Sequence, residues 1–445
     1  MTDTQTADAV APEAPATSLP PLSSNARRLL AVTLMGAALV RLVWCIYAAR
    51  PPVGLHDPGL YRMFAQQFAR GDGYVFFSGP TAYYPVGYPL ALGGAFLLTP
   101  DGWETGVVAG LNIVCQVLSV ALVFAITRRL LDGRAGPALV AAAAMAFWPN
   151  LILNSAVALT EPLFIALLLA SVLLLVNGPW DLAGPTRSRM VAAGVLFGAA
   201  ALVRPVSLPI LGAVLVAWLV ARVGWRSAAT RTAVVALAAV ATMAPWVVRN
   251  VIMMDAAVLS TNTGDNLCMS RRVGGSGAFE FPNFRCFPEH FNTIPRPETE
   301  IQRDEHGRDL AIEFIREHPG EEVRLWGRRL WHALHVDDDG IAAAESYGED
   351  PFLGDGTRDL LQGVANAWYY LIGGLGAVGL LLAAWSRRPA ALLVALCPPA
   401  LMISVVGFFG DPRFKQPALP FLAVGLGLLV DRLVAARRGA TVATR

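Results

Sequence analysis

Apolar residues along this chain fall in long unbroken blocks, not in the short alternating or every-third patterns of a soluble domain. Blocks long enough to cross a hydrocarbon core of about 30 Å lie at 29–49, 106–127, 137–154, 161–177, 190–203, 206–221, 232–249, 362–385, 390–409 and 415–434. They predict an all-α polytopic membrane protein of about ten transmembrane helices. Residues 1–26, rich in Ala, Pro, Ser and Thr, lack the basic start and apolar core of a signal peptide and read as a disordered tail. The first apolar block therefore stays as a helix. Two polar stretches, 50–105 and 250–361, interrupt the pattern.

Charge orients these blocks. With the amino terminus in the cytoplasm, the junctions facing inward carry Arg128, Arg129, Arg134, Arg187, Arg189, Arg222, Arg226, Arg231, Arg387, Arg388, Arg432, Arg437 and Arg438. That satisfies the positive-inside rule at every short loop. The organisation expected is a cytoplasmic tail (1–26), a membrane core (27–249) holding the first outer loop (50–105), an outer cap region (250–361), the last membrane helices (362–436) and a cytoplasmic end (437–445). Both termini then face the cytoplasm, and the chemistry faces outward from the plasma (inner) membrane. Composition agrees, with 55% hydrophobic and 15% charged residues; the net charge of +2 adds little, because its asymmetry across the membrane carries the information.

The stretch "LHDPGLYRMFAQQFARGDGY" (55–74) follows the first block. Asp57-Pro58 suits a helix cap and first-turn proline, and Tyr61, Phe64, Ala65 and Phe68 recur at helical spacing. A short amphipathic helix along the outer membrane surface is expected, ended by Gly71-Asp72-Gly73-Tyr74. "YYPVGYPL" (83–90) leads the chain back to the membrane. In the cap region, "STNTGDNLCMSRRVGGSG" (260–277) is loop-like. Residues 298–334 read as two amphipathic helices broken at Pro319-Gly320, with Leu310, Ile312, Phe314, Ile315, Val323, Leu325, Leu330 and Trp331 available for burial. His306, His318, His332 and His335 have no zinc-ligand spacing. No Walker loop, dinucleotide fingerprint or nucleic-acid module is present. Cys45, Cys115 and Cys397 fall in membrane blocks, whereas Cys268 and Cys286 lie in the outer region, where a disulfide persists. A bridge between those two is expected.

These motifs carry a resemblance. An acid after the first membrane helix, a Tyr, a helix ending Gly-x-Gly-Tyr and then Pro-x-Gly-Tyr-Pro resemble the GT-C glycosyltransferases, in the branch of protein O-mannosyltransferases and the lipid A aminoarabinose transferase. "LTEPLF" (159–164), "ALVRP" (201–205), "APWVVRN" (244–250), "LSTNTGDNL" (259–267) and "DPRFKQPALPFL" (411–422) extend it from residue 41 to about 425. The resemblance implies an inverting enzyme moving a sugar from a polyprenyl-phosphate donor to an extracytoplasmic glycan, glycolipid or protein. It assigns Asp57 the role of base for the acceptor hydroxyl, as sugar chemistry also favours. The alternative for Asp57 is a helix cap.

A lipid-phosphate leaving group calls for cations at the outer surface. Arg204, Arg249, Arg413 and Lys415 stand at outer helix ends, where the positive-inside rule predicts few basic residues, and are the candidate phosphate ligands; interfacial snorkelling is the alternative. His56, Tyr61, Tyr84, Glu161 and Asp265 are candidate lining residues. Two departures bear on metal use and on a protein acceptor. Asp57 is followed by Pro58 where O-mannosyltransferases pair two acids, and Thr81-Ala82-Tyr83-Tyr84 stands where metal-using relatives place an acid before Pro-x-Gly. A divalent metal stays open. A transporter or flippase of a lipid-linked saccharide, or a membrane scaffold, are the functions of other classes that fit the helix count; a transporter would show repeated halves, and no internal repeat is found.

Overall fold

The computed structural model describes residues 19–54, 56–76, 79–176, 184–280, 286, 299–386 and 388–443. Residues 1–18 of the expected tail, parts of the cap region (281–285 and 287–298) and residues 444 and 445 lie outside the described residues.

Every apolar block is helical, but the helices differ in reach. Six are long and apolar enough to cross a membrane: Ser24–Ala48, Glu104–Leu130, Trp225–Met254, Asp355–Trp385, Pro389–Gly407 and Pro412–Arg437. A seventh is a pair, Ala135–Ala146 and Pro149–Ala156, bent by 52°. In chain order the helices are α1 (Ser24–Ala48), α2 (Asp57–Arg70), α3 (Gly87–Phe96), α4 (Glu104–Leu130), α5 (Ala135–Ala146), α6 (Pro149–Leu153), α7 (Glu161–Val176), α8 (Arg187–Val203), α9 (Ile210–Val220) and α10 (Trp225–Met254). Then come α11 (Thr263–Cys268), α12 (Glu300–Glu317), α13 (Pro319–Leu334), α14 (Asp339–Ala344), α15 (Asp355–Trp368), α16 (Gly374–Trp385), α17 (Pro389–Gly407) and α18 (Leu419–Ala443). A two-residue hairpin, β1 (Val75–Phe76) with β2 (Gly79–Pro80), is antiparallel.

Close helix contact in the bundle depends on small side chains, as expected where lipid removes the hydrophobic drive. A Cβ at Gly379 of α16 would run into the Gly425 backbone of α18. The break between α5 and α6 has a local cause. Pro149 at the first turn of α6 forces Trp148 into an extended conformation and interrupts the hydrogen-bond ladder. Arg41, fully buried in α1, donates to the freed carbonyl of Ala146 at 2.7 Å, to Ala37 O at 3.0 Å and to Gln116 Oε1 at 2.5 Å.

The two polar stretches correct several expectations. The apolar face of α2, with buried Tyr61, Phe64 and Ala65, packs on α3 and the tyrosines that follow it, so it meets protein and not lipid. Thr263–Cys268, expected as loop, is a helix. Of the apolar residues on α12 and α13, Phe314 and Leu325 are buried, while Ile312, Ile315, Val323 and Trp331 face outward. The buried stripe of α13 is instead partly ionic. Glu322 takes Arg271 and Arg329, each at 2.8 Å, and a paired charge can be buried where an unpaired one cannot. Cys268 and Cys286 are joined by a disulfide. Glu300, in the first turn of α12, accepts from Thr81 Oγ1 at 2.7 Å, from Ala82 N at 2.9 Å and from the Thr261 hydroxyl, which ties the cap region to the first outer loop.

Candidate active site

The start of α2 in the first polar stretch, the start of α7, the end of α8 and the segment before the last helix meet in one place. Each contributes a charged side chain there. Asp57 is the first residue of α2, with His56 at the cap position and no side-chain capping bond. The cap alternative is therefore corrected: the carboxylate turns away from the helix. Its Oδ1 accepts from the Tyr84 hydroxyl at 2.5 Å and its Oδ2 from Arg413 Nη1 at 2.7 Å, leaving the side chain 34% exposed.

Arg413 sits in the short 3₁₀ segment Pro412–Ala418, capped by Asp411, whose carboxylate accepts from Arg413 N at 2.8 Å. Its guanidinium has a second acid. Nε donates to Glu161 Oε1 at 2.5 Å and Nη2 to Glu161 Oε2 at 3.3 Å. Glu161 opens α7, only 1% exposed, and a buried carboxylate must be paired. Its second partner is Arg204, which also donates to Thr160 Oγ1 at 3.0 Å. Arg204 ends α8 in an extended conformation because Pro205 follows. The result is a continuous chain of alternating charge, Asp57, Arg413, Glu161, Arg204.

Aromatic rings wall this chain. Tyr61 packs edge-on against Tyr84 at 4.7 Å and against Tyr88 at 5.5 Å between ring centres. Burial, reinforced by Asp57, pushes the Tyr84 hydroxyl well above the usual tyrosine range, so it stays a proton donor to that acid. Tyr83 turns the other way, to Asp265, which Arg303 meets at 2.5 Å. Burial raises the Asp265 carboxyl in spite of that arginine. The His56 ring lies 5.1 Å from the Tyr347 ring, and Tyr347 is held with φ 55°, after Ser346 at φ 50°, in the left-handed region that bulky residues rarely adopt.

The other two candidate cations are committed elsewhere. Arg249 donates to the carbonyls of Thr81 at 2.8 Å and Tyr74 at 2.9 Å, fixing the first outer loop. Lys415 is 2% exposed, pairs with the fully buried Asp337 at 3.2 Å and donates to the carbonyls of Val336 and Pro412. In this structure both candidate phosphate ligands are held by these protein partners. Around Lys415 lies a network absent from the sequence reading. Trp148 Nε1 donates to Asp337 at 2.7 Å; Asn150 Nδ2 donates to Asp337 at 2.9 Å and to Asp339 at 2.7 Å; Gln416 Nε2 donates to Asp339 at 2.7 Å. The signal was present: three consecutive acids, Asp337 to Asp339, in a region otherwise short of such runs.

No group of three His, Cys, Asp or Glu side chains converges among the described residues. Asp57 and Glu161 do approach one another, but with Arg413 between them.

Residues 85–248 match the model of the dolichyl-phosphate-mannose-protein mannosyltransferase family. No curated protein matches the sequence. Among solved structures, the oligosaccharyltransferase of Archaeoglobus fulgidus tethered with an acceptor peptide aligns with a TM-score of 0.50 and 14% identity, over 92% of this chain and 50% of that one. The same protein in complex with an inhibitory peptide and a dolichol-phosphate gives 0.47 and 15%, over 94% and 52%. ArnT from Cupriavidus metallidurans bound to undecaprenyl phosphate gives 0.44 and 14%, over 90% and 78%. The fold is the GT-C fold, and the chain spans about half the length of the oligosaccharyltransferase.

Proposed function

We propose that this GT-C-fold membrane protein is an inverting glycosyltransferase that moves a sugar from a polyprenyl-phosphate donor to an extracytoplasmic acceptor, a glycan, glycolipid or protein of the cell envelope. One observation carries the reading. An acid placed to take a proton, Asp57, is joined within a single chain of contacts to two cations placed to meet phosphate, Arg413 and Arg204.

In this mechanism the acceptor hydroxyl gives its proton to Asp57 as its oxygen attacks the anomeric carbon from the side opposite the phosphate. The bond from anomeric carbon to phosphate oxygen breaks, and its electron pair stays on the phosphate, where Arg413 and Arg204 stabilise it. The Tyr84 hydroxyl and Arg413 Nη1 each hold one oxygen of Asp57, which orients the carboxylate while a further lone pair takes the proton. The positive-inside pattern of the short-loop arginines supports cytoplasmic termini and a site on the outer side.

The test is purified protein in lipid nanodiscs with labelled polyprenyl-phosphate sugars, varied in the sugar. Release of carrier phosphate together with a product of inverted configuration is expected. Protein that moves such lipids across a vesicle membrane but releases no carrier phosphate from any of them would instead be a flippase.

A further inference from the structure

Two carboxylates from distant parts of the chain, Asp57 and Glu161, point at one spot, a geometry that suits a hard divalent cation. The spot is taken. Arg413 reaches Asp57 at 2.7 Å and Glu161 at 2.5 and 3.3 Å, and is itself only 10% exposed. The remaining edges are also occupied, because Tyr84 donates to the other oxygen of Asp57 and Arg204 to Glu161. A cation such as magnesium needs open oxygen ligands and brings its own charge. Here two acids already balance two guanidinium groups, so this donor set does not fit a metal.

We propose that the Arg413 guanidinium stands in the place of a divalent cation, binding the donor phosphate and meeting the leaving-group charge without metal. This rests on the glycosyl-transfer reading and deepens it. A guanidinium offers a phosphate the bidentate fork that it offers a carboxylate, so Glu161 acts as the resident anion that keeps Arg413 and Arg204 aligned until phosphate arrives.

Sharing one guanidinium between base and leaving group has a chemical consequence. As the acceptor proton passes to Asp57, that carboxylate loses its negative charge; as the anomeric bond breaks, the phosphate gains one. The total charge is unchanged. Arg413 Nη1, no longer facing an anion at Asp57, is free to turn to the new charge on phosphate. Proton removal and leaving-group departure are thereby linked through one side chain, which a metal held by both acids would not do in the same way.

The experiment uses the full chain in nanodiscs containing excess EDTA, with undecaprenyl phosphate as binding probe and labelled donor for turnover. Binding and turnover are expected to be the same with EDTA as with added magnesium or manganese. Arg413→Ala should weaken probe binding by about tenfold or more, and free guanidinium in the buffer should recover part of the binding and turnover. Arg413→Lys, which keeps the charge but loses the fork, should fold where the alanine variant does not and still bind the probe at least several-fold more weakly. Probe binding or turnover that requires a divalent cation overturns the proposal. So does unchanged probe binding in the lysine variant. Metal-free probe binding that depends on Arg413, with no sugar released from any donor, supports the phosphate site and overturns the transfer reading alone.

Discussion

Arg413 and Lys415 are two residues apart in one 3₁₀ segment, and each meets acid brought from elsewhere, two for Arg413 and one for Lys415, but their surroundings differ in kind. Around Arg413 the partners are charges: Asp57, Glu161 and, through Glu161, Arg204. Around Lys415 the acids are satisfied mainly by neutral donors, Trp148, Asn150 and Gln416, while the ammonium itself also donates to the carbonyls of Val336 and Pro412. A cluster held by compensating charges can exchange one anion for another. A cluster held by amides and an indole is fixed by geometry, and its acids lose their partners if anything moves. The first is where the proposed chemistry would take place; the second joins residues 337–339 to α6 and to the segment that leads into the last helix.

That contrast can be broken most sharply at Asp57. Asp57→Asn should lower transfer about 10²-fold or more, the usual worth of a general base, while undecaprenyl phosphate still binds. Near-normal turnover in that variant would remove Asp57 from the chemistry. On the other side, Lys415→Met leaves Asp337 buried without its cation and should cost about 3–5 kcal/mol of stability. Thermal unfolding in detergent reads the loss, and turnover per folded molecule should stay within a few-fold of the parent. A variant that is stable but inactive would move Lys415 into the active site.

Smaller effects sharpen the same line. Arg204→Gln should weaken undecaprenyl phosphate binding by about 1.5–3 kcal/mol, the range for a hydrogen bond to a charged group, without the large stability loss of Lys415→Met. Isothermal binding assays check it. The smallest effect concerns pH. Burial, with Asp337 and Asp411 nearby, pushes the Asp339 carboxyl up to about 7 against Lys415 and Asn150, which pull it down. Between about 4 and about 7 the native state then holds a proton that the unfolded chain has lost, so stability is full at the acid end and falls as pH rises through that window. Asp339→Asn should flatten the thermal-stability profile there; an unaltered slope would assign it to another group.

The sequence disclosed much of this and hid a definable part. The apolar blocks marked the helices because lipid demands long unbroken runs, and Asp57, Glu161, Arg204 and Arg413 stood out because charge at an outer helix end is costly unless used. Their connection was not legible. Asp57 and Arg413 lie at opposite ends of the chain, and no local pattern records that one guanidinium holds two acids. The same limit applies to Lys415 and Arg249: both look like Arg204 in sequence, and only the fold shows that Lys415 meets Asp337, Arg249 meets backbone carbonyls and Arg204 meets Glu161. For α13, periodicity marked an amphipathic helix but not its buried face, because the Glu322 pair with Arg271 and Arg329 overrode the apolar stripe.

Arg41 has a consequence for biogenesis. It sits in the first membrane helix, yet the groups that receive its hydrogen bonds outside that helix, Gln116 and Ala146, belong to helices made later. A lone arginine near the middle of an inserting helix costs about 2.5–3.5 kcal/mol. During synthesis α1 therefore enters the bilayer with an open debt that only α4 and the broken α5–α6 pair can close. Glycosylation mapping of truncated chains tests this: chains ending before Gln116 should insert α1 less efficiently than chains reaching beyond Leu153, and Arg41→Leu should erase the difference.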